Sequence, residues 1–118
     1  MNVKEYLKNY RNYRDLVKYL DRRIAEKRKT CLTHDEYQRE LNDRKYFDSL
    51  VADIDRAIVL LRDPVEQHIL RLRYVEGWSW TKVCLAIHYS RTQTNRIHVR
   101  ALEHLEEITL REGLLWEE

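Results

Sequence analysis

A chain of 118 residues can fold as one compact domain, or as a small domain with a helical arm, and has no room for a large core. Two glycines and one proline exclude a turn-rich β architecture, and 36% charged beside 43% hydrophobic residues point to an all-α protein with solvated helix faces. The net charge of +2 excludes no partner by itself, but no apolar run is long enough to span a bilayer, and the opening MNVKEYLKNY lacks a signal-like apolar segment.

The spacing predicts a first helix from about Val3 to Lys29. Val3, Tyr6, Tyr10, Tyr13, Val17, Leu20 and Ile24 alternate steps of three and four, a heptad seam that Leu7, Leu16 and Tyr19 widen. Such a seam serves either packing within the chain or a dimerisation arm, and a homodimer stays open at this point. The helix is basic: Lys4, Lys8, Arg11, Arg14, Lys18, Arg22, Arg23, Lys27, Arg28 and Lys29 stand against Glu5, Asp15, Asp21 and Glu26.

A break follows at Thr30 to Thr33. Thr33 with Glu36 fits a capping box, which starts a second helix near His34. Its apolar positions run from Tyr37 through Leu41, Phe47, Leu50, Val51, Ile54 and Ile58 to Leu61. A connection this short favours an antiparallel hairpin with the first helix. Asp63-Pro64-Val65-Glu66 reads as a third start, with Asp63 as cap, Pro64 in the first helical position and Glu66 completing the box. That helix should run to about Val75, where Gly77 supplies a left-handed end.

Ser79 is placed to cap a short helix from Trp80 to Ile87, with Trp80, Val83, Leu85 and Ile87 as its apolar contacts. His88-Tyr89 is the turn, and His tolerates the positive φ that such a turn often needs. Ser90 caps the last helix, which should run to about Arg111. On it Thr94, Ile97, Ala101, Leu105 and Ile108 share one side, and Thr92, Asn95, Arg96 and Val99 share the other. Arg91, Gln93 and Arg100 flank the exposed side.

The organisation expected is therefore a helical hairpin over 1–62, a helix-turn-helix over 63–112 and an acidic tail over 113–118. Between Trp78 and Arg100 the charges are Lys82, Arg91, Arg96 and Arg100, with no acid, which suits a polyanion. Beyond it Glu103, Glu106, Glu107, Glu112, Glu117 and Glu118 oppose Arg111 alone. Arg, Asn, Gln and Thr in the first two turns of such a helix are the side chains that reach base edges.

RLRY before the turn, an apolar-led short helix, Tyr89-Ser90-Arg91 at the turn, then Arg96-Ile97 and Arg100-Ala101-Leu102 resemble region 4 of sigma-70-type transcription factors. The resemblance covers the C-terminal third to half of the chain. It departs from that pattern at Thr94, where Val or Ile is usual, and in the bulk of Trp78 and Trp80. Size and order are similar to small phage transcriptional activators of the ArpU/RinA type. The resemblance implies base contacts from Arg91, Thr92 and Arg96, joined on the phase argument by Asn95. Phosphate contacts fall to Lys82, Gln93 and Arg100. It also implies double-stranded DNA and bacterial RNA polymerase as partners, in the cytoplasm of a bacterial host. A small terminase-like packaging protein and a protein-interaction module without DNA binding are the alternatives.

Cys31 and Cys84 are the only cysteines, so a disulfide framework is not expected. With His34 and His88 they carry the ligand types of a zinc site. Their placement in a hairpin turn and in the motif helix argues against one, and no cofactor is expected. No nucleophile elbow or phosphate-binding glycine loop occurs, so no enzyme activity is expected.

Overall fold

The computed structural model describes residues 3–27 and 33–114, and every regular element among them is helical. In chain order these are α1 (Val3–Lys27), α2 (His34–Val59), α3 (Pro64–Leu70), a π-helical turn (Arg71–Val75), α4 (Trp80–Ile87) and α5 (Arg91–Glu112). None is long and apolar enough to cross a membrane. The expected break at Thr30 to Thr33 lies outside the described residues except for Thr33, and so do 115–118.

Local side-chain chemistry sets most helix starts. Thr33 Oγ1 accepts from the Glu36 N–H at 3.3 Å, and Asp63 Oδ1 accepts from the Val65 N–H at 2.8 Å, with Pro64 in the first turn. Glu66 does not complete the expected box. It is 3% exposed, and its Oε1 lies 2.7 Å from His104 Nδ1 on α5, a tie across 38 residues that holds α3 against α5. A long-range partner therefore takes the carboxylate that local chemistry would have used. Gln67 serves the preceding helix instead: its Nε2 donates to the carbonyls of Val59 and Leu61 at the end of α2.

α1 and α2 form the expected hairpin. Tyr10 donates to Asp55 at 2.8 Å, Arg44 donates to Asp21 at 2.6 Å and Arg23 donates to Glu40 at 3.0 Å, so partners on α2 descend as α1 ascends. Val3, Tyr6, Tyr10, Leu20 and Ile24 of the seam are buried within the single chain, as is Leu7. The seam is thus used inside the hairpin.

The base of the hairpin and the C-terminal helices share one core. Val3, Tyr6, Leu7 and Tyr10 meet Leu50, Ile54, Ala57 and Ile58, and the same cluster takes in Leu70, Tyr74, Ala101, Leu105, Ile108 and Leu114. No gap in packing falls near residue 62. Leu114, counted with the acidic tail from sequence, is a core residue at 7% exposure. A smaller cluster of Ile69, Leu72 and Val83, flanked by Val65, Trp78, Trp80, Ile87 and Ile97, seats α4.

Leu85 departs from expectation: it is 70% exposed. A helix turns about 100° per residue, so Leu85 stands about 200° from the buried Val83, and two turns bury only one side.

Candidate nucleic-acid interface

Three local devices present the first turns of α5. Ser79 Oγ accepts from the Lys82 N–H at 3.2 Å and starts α4. His88 takes φ 61 and ψ 36, the left-handed conformation that ends α4 after two turns. Ser90 then starts α5 with a full capping box: its Oγ accepts from the Gln93 N–H at 3.1 Å, and the Gln93 side chain accepts from the Ser90 N–H at 3.3 Å. Only His88, Tyr89 and Ser90 separate the helices.

α5 is then phased by what it buries. Thr94, Ala101 and Leu105 are fully buried, with Ile108, His98 and Thr109 beside them and Ile97 half-buried. Thr94, polar at an apolar position, is satisfied by Cys84 Sγ, which donates to its hydroxyl at 3.3 Å. Arg91, Thr92, Asn95, Arg96, Val99 and Arg100 are all exposed. Asn95, Arg96, Val99 and Arg100 line one shallow depression on the outer side of the helix. Gln93 is exposed as well, but its amide oxygen belongs to the capping box, which leaves the amide nitrogen as its outward donor.

The two tryptophans organise the cations around α4. Lys82 Nζ sits 4.0 Å from the centre of the Trp78 ring. Arg73 and Arg91 lie 4.9 and 5.4 Å from that of Trp80, and Arg73 also donates to the Trp78 carbonyl at 2.9 Å. Such cation–π contacts hold long side chains in place while leaving the charge outward. Gly77 closes the π turn at φ 74, and a Cβ there would collide with the Arg11 guanidinium of α1. The turn thus needs glycine for its backbone, while the Arg11 side chain could swing aside from a Cβ.

No protein-family model, curated protein or solved structure matches this chain.

Below the surface, His98 packs edge-on to Trp80 at 4.6 Å and shares a 2.7 Å hydrogen bond with the Tyr74 hydroxyl. Burial, with help from the charges of Lys4 and Arg73, pushes its pKa down to about 4, so the ring is neutral near pH 7. Burial likewise lifts the Tyr74 phenol to about 12. The pair is therefore a neutral hydrogen-bonded strut beneath a cationic surface.

Lys4, Lys8 and Arg73 were absent from the expected site. With Arg91, Asn95, Tyr74, Trp80 and His98 they line a cavity of about 200 Å³ between α1, the π turn and α5. The basic first helix was visible in sequence, but which third of it meets α5 was not. Among the described residues no group of three His, Cys, Asp or Glu side chains converges as metal ligands do. Cys31 lies outside the described residues, and His34 is exposed.

Proposed function

We propose that this chain is a sequence-specific DNA-binding transcriptional regulator, with α4 and α5 acting as a helix-turn-helix whose second helix enters the major groove of double-stranded DNA. One observation carries the reading. The exposed side of the first three turns of α5 offers arginine, asparagine and threonine without a carboxylate, directly opposite a fully buried stripe. Arg91 and Arg96 suit guanine edges, Asn95 suits adenine and the Thr92 methyl suits thymine. Lys82, Gln93 and Arg100 flank them as phosphate contacts that set register. The resemblance to sigma region 4 and to small phage activators extends the proposal to late-gene activation with bacterial RNA polymerase in the host cytoplasm.

Selection of bound duplex from a random pool, followed by mapping of the enriched site onto the source genome, tests this. Enrichment of one sequence beside a promoter is expected. A site at a genome end would favour packaging instead, and no enrichment with no binding at low salt would sink the DNA reading.

A further inference from the structure

The cavity between α1, the π turn and α5 is lined by four cations, Lys4, Lys8, Arg73 and Arg91, with Asn95 as a neutral donor and no carboxylate among its walls. Positive charges that face one cavity favour an anion within it. Two of them are fixed by the Trp80 ring rather than by acids. Lys8 does lie 3.9 Å from Glu5, but both side chains are more than half exposed, and such a pair holds a lysine weakly. His98 lines the cavity too, and burial keeps it neutral near pH 7.

Size and position identify the anion. About 200 Å³ is below the roughly 300–1,000 Å³ of sites that enclose a whole small molecule, but it accepts a phosphate group whose remainder stays outside. Asn95 lines both this cavity and the depression of Arg96, Val99 and Arg100, so the two adjoin at that residue. An extended polyanion lying along α5 would pass from one to the other.

We infer that the N-terminal turns of α1 belong to the DNA interface, and that Lys4, Lys8 and Arg73 clamp one backbone phosphate beside the groove that α5 enters. The inference rests on the DNA-binding reading. It gives the hairpin a functional position: α1 is anchored to the duplex at its base, while Lys18 and Arg22 lie farther along the same helix. Lys4 and Arg22 are separated by about 27 Å along the helix at 1.5 Å per residue.

The test uses the full chain and two double variants of equal charge change. Lys4→Gln with Lys8→Gln alters the clamp, and Lys18→Gln with Arg22→Gln alters the far half of α1. The clamp variant is expected to lose affinity equally for the selected site and for random duplex. Its plot of log affinity against log salt should become shallower by about one to two. Ethylation of one phosphate that weakens the wild type should no longer matter to it. The far variant should match the wild type in all three respects. Lys8→Gln alone, an exposed change that the fold tolerates, should give part of the same effect and guards against misfolding of the double variant.

Equal behaviour of the clamp and far variants on a duplex that the wild type does bind overturns the clamp and leaves the DNA reading standing. Failure of the wild type to bind any duplex overturns that reading first. Inorganic phosphate, titrated against the free protein by tryptophan fluorescence, supplies the other arm. Sub-millimolar saturation, lost in the clamp variant while its salt plot on DNA stays unchanged, would assign the cavity to a free oxyanion and overturn the DNA assignment.

Discussion

The two ends of the α1–α2 hairpin are built from the same kind of helix and are held in different ways. At the base, Val3, Leu7, Leu50, Ile54 and Ile58 pack into a core that α5 and the π turn complete. At the tip, Leu20 and Ile24 are buried outside that cluster, while Leu16, Tyr19 and Tyr46 remain exposed. Polar ties cluster there: Arg23 donates to Glu40, Arg44 to Asp21, and Arg23 also to the Tyr19 hydroxyl. Amphipathicity alone therefore does not set how firmly a helix is held. The number of elements that cover its apolar face does.

The largest test of that difference is truncation of a core side chain. Ile58→Ala at the base should cost about 3–4 kcal/mol in denaturant unfolding, since a fully buried isoleucine leaves a cavity that several helices cannot all close. Ile24→Ala at the tip should cost about 1–2 kcal/mol, because a two-helix ribbon can collapse around the loss. Amide exchange at the tip should also proceed through openings of lower free energy than at the base. Equal losses at both positions would show that the arm and the base form one cooperative unit.

A second test uses acid, which acts on the base through His98. His98 stays neutral down to about pH 4 in the folded chain because it is buried, whereas an unfolded histidine takes up its proton near pH 6.5. Between those values the unfolded state binds the extra proton, so stability should fall as pH drops from 6.5 to 4, by about 2–3 kcal/mol. His104 works in the opposite sense. Its hydrogen bond to Glu66 raises its pKa, so its contribution is complete below 6.5 and disappears as pH rises through the raised value. An imidazole resonance of His98 titrating near 6.5 would contradict the buried strut.

The third separates the ends by function. Arg96→Ala should weaken binding to the selected duplex by about 1–3 kcal/mol and relax preference at one or two base pairs. Arg22→Ala, at the tip, should leave affinity and preference as they are. Equal weakening of Arg96→Ala on selected and random DNA would reduce Arg96 to a phosphate contact.

The smallest effect belongs to the ion pairs of the tip. Arg44 is hydrogen-bonded to Asp21 and lies 4.0 Å from Asp48, yet both carboxylates are more than half exposed. Arg44→Gln should cost less than about 1 kcal/mol at low salt and nothing measurable at high salt. A larger loss would mean that the tip depends on its charges more than on Leu20 and Ile24.

The C-terminal boundary needs the same care. Removing residues from 114 onward takes Leu114 out of the core, so a truncation meant to probe only the acidic end must begin at 115.

Sequence by itself determined the helix starts, because each depends on groups within three residues: Thr33 on Glu36, Asp63 on Val65, Ser79 on Lys82 and Ser90 on Gln93. It determined the extent of α4 closely, the left-handed turn at His88 and the two sides of α5, since periodicity and a tolerant residue are local properties. The short connection favoured an antiparallel hairpin of α1 and α2 and left the use of its seam open. Only the tertiary structure decided where the chain's path brings distant residues together. It turned Glu66 from a local cap to His104, drew Leu114 into the core and set Leu85 outside. It also brought Lys4 and Lys8 beside Arg73 and Arg91, and laid Arg11 over Gly77. Those outcomes depend on which surfaces remain unburied once all the helices have packed, and no window of three or four residues contains that information.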